Sequence, residues 1–299
     1  MFHLCSIGLA VVPNVRVPRA RLLASAAGGH RRIRLDEATL EDWNLVTETL
    51  APFSKGSRMD RLIGVIAKRR ANLHIVLENV ADPYNAAAIM RTAEGLGVQH
   101  IHLIESVQYG MELKVPRAEM PQPSRGALGN VSMGASRWLS VCKYKSAADC
   151  HRALRELGLM VYASDSPPLP DHDASDLRSE QALEEIDTPF TAATINELDF
   201  GEGSGTALIF GNERRGVSRA FIEHADRSFY LPVVGLTQSF NISVSVAMSL
   251  YAAISSGRFP EGSLAEAQKA ELLGRWLLRD VKASRQLLKR ATGLEFVDF

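Results

Sequence analysis

The chain has 299 residues, of which 46% are hydrophobic and 23% are charged, and its formal net charge at pH 7 is zero. This is the composition of a globular protein that is long enough to bury a sizeable core. The balanced charge excludes a polycation, so a nucleic-acid partner would have to be held by local basic patches.

The three cysteines, Cys5, Cys142 and Cys150, form neither a CxxC motif nor a metal-ligand spacing. We therefore expect a protein of a reducing compartment, without a disulfide framework and without a metal site. No apolar run approaches the roughly 20 residues of a membrane-spanning helix. The sequence predicts no membrane association.

Residues 1–50 are predicted to be an N-terminal extension with the composition of a targeting peptide. Nothing acidic precedes Asp36, whereas six arginines do: Arg16, Arg19, Arg21, Arg31, Arg32 and Arg34. An arginine-rich, acid-poor start is typical of an organellar transit peptide, for a mitochondrion or a chloroplast. A disordered basic tail or a misjudged start codon is the alternative, and it would leave the protein cytoplasmic.

The stretch "SRMD" predicts the start of a helix, with Ser57 as its N-cap and Asp60 completing a capping box. Apolar residues then recur at helical spacing, at Met59, Leu62, Ile63 and Ile66. The basic residues 68–70 are interpreted as complementing the helix dipole and keeping the surface soluble. The functional alternative is that these three residues contact the phosphates of a nucleic acid.

From Leu73 onward, strand-like and helix-like stretches alternate. "LHIVLE" predicts a buried strand, "AAAIMRTAEGLG" a helix and "HIHLIE" the next strand, which together form a βαβ unit. A helix capped by Ser146 and the strands "LMVYAS", "TALIFG" and "SFYLPVV" continue the pattern. Apolar runs without clean alternation are typical of strands covered on both faces. The fold class predicted for residues 57–256 is therefore α/β, a parallel sheet with helices on both faces.

Two segments depart from this pattern. Residues 165–205 are rich in aspartate and glutamate, with Arg178 as the lone basic residue, and are predicted to be a solvated acidic insertion with one short helix. Residues 262–293 are predicted to be a basic helical extension. An amphipathic helix on its own protomer or on a dimer mate explains the extension. The functional interpretation is that the basic face of this extension binds along the phosphate backbone of a nucleic acid.

Three polar loops follow predicted strands, at the edge where open parallel sheets bind ligands. In "NVADPYN", Asn85 occupies a helix N-cap position, and Arg91 lies among small apolar residues of the following helix. Arg91 is interpreted either as a structural salt bridge or as a guanidinium aimed at a phosphate or carboxylate. "FGNERRGVS" places Gly211 at a strand end, and "TQSFNIS" is the third loop. Neither GxGxxG nor a P-loop is present, so spacing alone names no reaction.

Together, "NVADPYNAAAIMRTAEGLGV", "LIFGNERRGVS" and "LPVVGLTQSFNISVSVAMSLY" resemble the three ordered motifs of the SpoU/TrmH branch of the SPOUT RNA methyltransferases. The resemblance covers residues 57–256. It implies a C-terminal segment threaded into a deep trefoil knot, a rare exception among protein folds. It also implies S-adenosylmethionine as cofactor, methyl transfer to a ribose 2′-hydroxyl of RNA, and a homodimer with the site at its interface.

The resemblance assigns roles to single residues. Five match the family's catalytic positions: Asn85, Arg91, Glu213, Ser239 and Asn241. Four match positions that contact the cofactor: Ser164, Gly211, Leu231 and Phe240. Phe240 replaces the more usual leucine, which matters little where the backbone makes the contact. The family's arginine is assigned to activating the 2′-hydroxyl. Because a guanidinium is effectively never deprotonated, Arg91 is interpreted as a ligand of phosphate and alkoxide rather than as a base.

The RNA substrate is predicted to be a tRNA, methylated at a guanosine. The tail "RWLLRDVKASRQLLKR" resembles that of tRNA guanosine 2′-O-methyltransferases, and no small RNA-binding domain is predicted before the core. Methylation of organellar rRNA and a catalytically silent RNA-binding homologue are the two alternatives.

Overall fold

The computed structural model describes residues 31–105, 134–166 and 191–297. Nine strands lie in these ranges: β1 (Arg31–Arg34), β2 (Arg70–Glu78), β3 (Val98–Ile104), β4 (Ser140–Tyr144), β5 (Leu159–Ser164), β6 (Ala193–Thr194), β7 (Gly205–Phe210), β8 (Arg227–Tyr230) and β9 (Leu294–Val297). The same ranges hold eight α-helices: α1 (Leu40–Leu50), α2 (Gly56–Ile66), α3 (Pro83–Gly95), α4 (Ala147–Glu156), α5 (Arg219–Ile222), α6 (Ile242–Ser255), α7 (Glu266–Asp280) and α8 (Ser284–Thr292).

Seven of the strands form one sheet in the order β4-β3-β2-β7-β5-β8-β6, and the pairings between them are parallel. The central strand β2 pairs with β3 on one side and β7 on the other, so that Ile75 lies opposite both Ile101 and Leu208. The predicted α/β class with a parallel sheet is therefore confirmed. Its central strands end side by side at one edge.

Helices cover both faces of this sheet, because successive side chains of a strand point to opposite faces. Ile75 and Leu77 of β2 join a core that includes Ile89 of α3 and Leu250 of α6. Val76 points to the other face and joins a core with residues of α4 and α5. The continuous apolar run of β2 is thus explained by burial on both sides.

A second core lies in what we call the helical lobe, which consists of β1, α1, α2, α7, α8 and β9. β1 pairs in parallel with β9. Trp43 and Leu50 of α1 are buried there against Trp276 and Leu277 of α7. Residues 31–50, predicted to belong to an extension, therefore fold together with the basic tail as one unit.

The basic tail forms two helices, because Ala283 between them adopts a left-handed φ of 57°. Its apolar side chains pack on α1 of the same chain. Gly274 permits the close contact, since a Cβ there would lie 2.6 Å from Cε3 of Trp43. Part of the basic charge is neutralised within the lobe, by the ion pairs Arg275–Glu271 and Lys289–Glu295.

The start of α2 differs from the predicted capping box. Lys55 is the N-cap, and its carbonyl oxygen accepts hydrogen bonds from the amides of Arg58 and Met59. No side-chain hydrogen bond caps this end. The capping-box prediction for Ser57 is wrong because the helix already begins at Gly56, after the extended residues Ser54 and Lys55, which leaves Ser57 inside its first turn.

Two of the three basic residues after α2, Arg69 and Arg70, point inward, whereas Lys68 is exposed. Arg69 is 1% exposed and donates hydrogen bonds to the carbonyl oxygen and the carboxylate of Glu94, at 3.1 and 2.9 Å. Its guanidinium also lies 5.4 Å from the ring centroid of Trp276. Arg70 donates to the carbonyl oxygen of Leu96 at 3.1 Å. Both arginines satisfy carbonyl groups at the C-terminal end of α3, so the solubility and phosphate-contact interpretations are wrong for these two residues.

The end of the predicted acidic insertion belongs to the folded domain. Ile195, Leu198 and Phe200 are buried in the main core, and β6 pairs with β8 at the sheet edge. The prediction of a solvated insertion is wrong for this stretch. It was based on the high content of aspartate and glutamate and gave no weight to these three apolar residues. Residues 167–190 of the insertion, and residues 1–30 with most of the predicted transit peptide, lie outside the described residues.

Two features are absent from the ranges that the structure describes. No helix there is long and apolar enough to cross a bilayer. No cluster of three or more His, Cys, Asp or Glu residues in those ranges could hold a metal ion.

Candidate active site

The predicted site residues meet at one edge of the sheet. Ser164 ends β5, Gly211 follows β7 and Leu231 follows β8, and these strands are neighbours in the order β7-β5-β8. On the other side of β7, β2 leads into the loop before α3, which carries Asn85. The parallel topology therefore brings all three polar loops to the same edge.

Asp82 rather than Asn85 caps helix α3. The side chain of Asp82 accepts a hydrogen bond from the amide of Tyr84 at 2.8 Å, and Pro83 occupies the first helical position. Proline suits this position because its φ is already helical and its missing N–H would have no helical partner. The N-cap prediction for Asn85 is therefore wrong, and its side chain is available for other partners.

Glu213 holds the first two loops together. Its carboxylate accepts hydrogen bonds from Nδ2 of Asn85 and the amide of Ala81, both at 3.0 Å, and from the amide of Asp82 at 3.4 Å. Burial raises the pKa of Glu213, but these hydrogen bonds outweigh it and leave the pKa below its usual value. The carboxylate is therefore ionised at neutral pH and serves as an acceptor.

Asn241 joins the third loop to the same network. Its Nδ2 donates to Oδ1 of Asn85 at 3.1 Å. Its Oδ1 accepts hydrogen bonds from the amide and the hydroxyl of Ser243, at 2.9 and 2.6 Å, so that Asn241 is also the N-cap of α6. A chain of hydrogen bonds, Glu213–Asn85–Asn241, thus connects side chains from all three motifs.

The loop after β7 is closed into a tight turn. The amide of Asn212 donates to the carbonyl oxygen of Gly216 at 2.9 Å, and the amide of Gly216 donates back at 2.8 Å. A Cβ at Gly211 would lie 2.0 Å from the carbonyl carbon of Gly216, so the closure requires glycine. Nδ2 of Asn212 donates to the carbonyl oxygen of Asn79 at 2.7 Å and ties the turn to the end of β2.

Sequence reasoning missed three residues that shape this site: Glu78, Asp82 and Asn212. Glu78 is 4% exposed and accepts a hydrogen bond from the amide of Ser218 at 2.7 Å. A carboxylate that ends an apolar strand signals a buried acceptor, and the Asp-Pro dipeptide signals the cap at Asp82. Asn212 has no comparable local signal, since its partner Asn79 lies 133 positions away in the chain.

Arg91 lies exposed on α3, and within the described residues its guanidinium makes neither an ion pair nor a hydrogen bond. The interpretation as a structural salt bridge finds no partner there. Tyr84, seven residues earlier on the same face of the helix, is 52% exposed. The guanidinium of Arg91 is therefore available to an external anion.

The third loop, residues 231–241, is irregular and largely exposed. The strand predicted to run to Val234 ends before Leu231, because the proline that follows cannot donate to a strand ladder. Leu231 packs half-buried against the main core. Phe240 is 36% exposed, and Ser239 is exposed beside it. The structure places both at the site edge but leaves them outside the Glu213–Asn85–Asn241 network.

The fold and the joined loops match a known class of enzyme. A family model described as the SpoU rRNA Methylase family matches residues 72–251, which is more than half of the chain and contains all three loops. The protein is therefore an RNA methyltransferase of the α/β class. It belongs to the SpoU rRNA Methylase family.

Relatives of the chain are named for tRNA and for rRNA. The tRNA (guanosine(18)-2′-O)-methyltransferase of Thermus thermophilus is 27% identical over 225 residues, which cover 74% of this chain and 96% of that protein. The enzyme of the same name from Escherichia coli is 24% identical, with 66% and 69% covered. The 23S rRNA (guanosine-2′-O-)-methyltransferase of Neisseria meningitidis is 24% identical, with 68% and 72% covered.

A solved structure shares the architecture. The Aquifex aeolicus TrmH/SpoU tRNA modifying enzyme superposes with a TM-score of 0.56 at 23% sequence identity, covering 76% of this chain and 98% of that one. At this level of identity the likeness concerns the fold, and it agrees with the parallel seven-stranded sheet.

Proposed function

We propose that this protein transfers a methyl group from S-adenosylmethionine to a ribose 2′-hydroxyl of RNA, at a guanosine of a tRNA. The observation that carries the proposal is the Glu213–Asn85–Asn241 network, with the available guanidinium of Arg91 on the same helix as Asn85. The network joins three loops at the edge where α/β proteins bind ligands. The names of the relatives from T. thermophilus and E. coli support a tRNA guanosine as the target.

Arg91 is assigned to the RNA backbone beside the target ribose. A 2′-hydroxyl must lose its proton as it attacks, and arginine cannot accept that proton because it stays charged in proteins. Arg91 instead binds the adjacent phosphate with its planar fork and stabilises the negative charge that develops on the 2′-oxygen. An oxygen of that phosphate assists removal of the proton, which passes on to solvent water.

Glu213 is assigned to positioning rather than to proton removal. Its carboxylate already accepts three hydrogen bonds, and its lowered pKa makes it a weak base. It orients Asn85, and through Asn85 it orients Asn241, so that the ribose meets preformed polar groups. Ser239 is assigned with Asn241 to the reacting side, on the family motif. Positioning of this kind can supply much of the acceleration of a transfer.

The cofactor is assigned to the ends of β5, β7 and β8. Ser164, Gly211, Leu231 and Phe240 would hold S-adenosylmethionine, which supplies a methyl group on a sulfonium. These residues offer backbone groups, a hydroxyl and apolar surface but no charged side chain, which suits a neutral adenosine. Titration calorimetry with S-adenosylmethionine tests the assignment.

We infer a homodimer from the family resemblance and from the outer face of α6. Val244, Met248 and Tyr251 lie four and three residues apart there and are 44%, 42% and 70% exposed. An exposed apolar stripe of this kind favours burial against a second copy of the chain. Analytical ultracentrifugation should find a dimer that Tyr251→Glu dissociates, whereas a monomeric wild type would refute it.

We also propose the trefoil knot that the family resemblance implies. The irregular loop 231–241 returns the chain from the sheet to α6, which packs with α3 in the main core. This arrangement fits a threaded C-terminal segment. An experimental structure in which the chain can be traced through this region tests it.

The helical lobe is assigned to RNA binding outside the site. Lys282 is exposed in the turn between its two C-terminal helices, and Arg290 is exposed on the second of them. Both can follow a phosphate backbone. The Lys282→Ala/Arg290→Ala variant should weaken tRNA binding while S-adenosylmethionine binding stays at the wild-type level.

Residues 1–30 are proposed to carry an organellar transit peptide, on their arginine-rich, acid-free composition. A fluorescent protein fused behind residues 1–50 should be imported into mitochondria or chloroplasts. Fluorescence that stays in the cytoplasm would favour the alternative location.

The substrate assignment is tested by methyl transfer to separated tRNA and rRNA pools and by mapping 2′-O-methyl sites in cells with and without the gene. We expect one guanosine of a tRNA to lose its methyl group in the deletion strain. Methylation confined to rRNA would establish the rRNA alternative, which the name of the N. meningitidis relative favours. An absence of both methyl transfer and S-adenosylmethionine binding would establish the silent RNA-binding alternative.

A further inference from the structure

Residues 212–216, which we call the apex turn, present an arginine that the proposed reaction does not use. Mutual backbone hydrogen bonds between Asn212 and Gly216 close the turn. Oδ1 of Asn212 also accepts a hydrogen bond from the amide of Arg214 at 2.9 Å. The backbone of Arg214 is therefore held at the tip of a closed loop.

The apex turn is fastened to the domain on both sides. On its entry side, Nδ2 of Asn212 donates to the carbonyl oxygen of Asn79 at 2.7 Å. On its exit side, the amide of Ser218 donates to the buried carboxylate of Glu78 at 2.7 Å. Both acceptors belong to the end of β2 and the residue after it, so the turn has a defined position relative to the start of α3.

Consecutive residues of the apex turn face in different directions. Glu213 is exposed, but its carboxylate is directed at Asn85 and the loop before α3. Arg214 is exposed, and in the ranges the structure describes its guanidinium has neither a carboxylate nor a carbonyl partner. Because the Cα atoms of consecutive residues are about 3.8 Å apart, this guanidinium is tethered within a side-chain length of the site network.

Three other exposed arginines of the sheet domain have carboxylate partners. The pairs are Arg152–Asp149 at 2.6 Å, Arg155–Asp226 at 2.7 Å and Arg219–Glu223 at 2.6 Å. Arg214 differs from them in two respects: its backbone is rigidly presented beside the site, and its charge is available to an external anion.

We propose that Arg214 binds a backbone phosphate of the RNA next to the target ribose, separately from the phosphate assigned to Arg91. A guanidinium binds phosphate through two parallel hydrogen bonds, and the neutralised phosphate releases its counterions. Arg214 is thus a positioning residue that sets how the RNA strand enters the site. This proposal rests on the proposed function, since it takes RNA as the substrate of this edge.

The test compares Arg214→Ala and Arg214→Lys with the control Arg219→Ala, an exposed arginine five residues later that is paired with Glu223. Full-length protein and tRNA are used to measure kcat, KM for tRNA and the salt dependence of tRNA binding. S-adenosylmethionine affinity is measured by calorimetry.

For Arg214→Ala we expect KM for tRNA to rise about tenfold, the effect of one lost phosphate contact. The slope of log K against log salt should shrink by about 0.7 to 0.9. Arg214→Lys should keep the slope but recover only part of the affinity, because lysine lacks the fork. S-adenosylmethionine affinity and the Arg219→Ala variant should stay at the wild-type level.

An unchanged KM and salt slope in Arg214→Ala would overturn the proposal. So would a loss of S-adenosylmethionine affinity equal to the loss of tRNA affinity, since the residue would then act through the cofactor pocket. If the wild type binds tRNA without methylating any RNA, the proposed function fails, and the salt slope alone still decides the contact of Arg214.

Discussion

Nδ2 of Asn241 donates a hydrogen bond to Oδ1 of Asn85 at 3.1 Å, across 156 positions of the sequence. The same asparagine caps α6 through its Oδ1. One side chain therefore both starts the last helix of the sheet domain and fixes the orientation of the amide that Glu213 holds. Stability and site geometry are coupled at this residue.

Asn241→Ala should lower the free energy of unfolding by about 1 kcal/mol, the usual cost of a lost N-cap. It should also lower kcat/KM roughly 100-fold, because Asn85 loses a partner and the reacting groups shift. Ser146→Ala is the matched control: Ser146 caps α4 by accepting from the amide of Asp149 at 3.1 Å, away from the site. Equal activity in the two variants at equal stability would contradict this view of Asn241.

Arg91→Lys should keep the positive charge on α3 but lose the planar fork. We expect methyl transfer to fall roughly 10- to 100-fold, the equivalent of one charge-assisted hydrogen bond at about 1.5–3 kcal/mol. The measurement is single-turnover transfer to tRNA, with S-adenosylmethionine affinity expected at the wild-type level. Arg152→Lys, at an exposed ion-paired arginine, should transfer normally. Near-normal transfer by Arg91→Lys would refute the assignment of Arg91 to the RNA phosphate and the 2′-oxygen.

The sheet holds a buried pair of histidines that makes stability depend on pH. Nδ1 of His74 lies 2.9 Å from Nε2 of His102, whose Nδ1 lies 3.1 Å from the hydroxyl of Tyr144. Burial and the neighbouring histidines lower the pKa of His74 to about 2 and that of His102 to about 4. Both folded-state pKa values lie below the value of 6.5 for an unperturbed histidine.

The unfolded chain therefore binds more protons than the folded chain once the pH falls below 6.5. The contribution of these histidines is fully present above pH 6.5 and is lost as the pH falls towards their folded-state pKa values. We expect urea unfolding to weaken between pH 7 and pH 5 by up to about 1.4 kcal/mol per pH unit for each histidine. His102→Gln should flatten this dependence, whereas the exposed His224→Gln should leave it unchanged. Parallel slopes for His102→Gln and the wild type would refute the explanation.

Gly211→Ala should open the apex turn, because its Cβ would meet the backbone of Gly216 at 2.0 Å. We expect a loss of about 1–3 kcal/mol in stability, as for other overpacked sites. Methyl transfer should become undetectable as Glu213 moves. Gly64→Ala is the control in α2, where no atom lies within 4 Å of the added Cβ. That variant should gain up to about 1 kcal/mol from helix propensity. A Gly211→Ala variant as stable and active as Gly64→Ala would contradict the role of the turn.

Five of the seven strands of the sheet domain were predictable from local patterns, whereas the short strands β4 and β6 were not. The apolar run "LHIVLE" indicated a strand buried on both faces, and the structure puts Ile75 and Val76 in opposite cores. The rule that parallel sheets bind ligands at their carboxyl edge then pointed to the three loops that the structure brings together. Helix starts were less predictable: Asp82 and Lys55, not Asn85 and Ser57, cap their helices.

The partners of polar side chains were not predictable in the same way. Arg69 is interpreted from sequence as a surface charge, yet it is buried against Glu94 and over Trp276. The N-terminal strand β1 pairs with β9 at the far end of the described chain. The local composition of the two segments does not indicate that they pair.

Local sequence patterns were enough to predict most strands of the sheet domain, the order of its motifs and the family to which they belong. The network of Glu213, Asn85 and Asn241, and the availability of Arg91 and Arg214 beside it, became visible in the folded chain alone. The physical reason is the separation in sequence between the residues that interact. Strands, helices and caps follow from residues a few positions apart, whereas a hydrogen bond across 128 or 156 positions exists only after the sheet order has brought its two ends together.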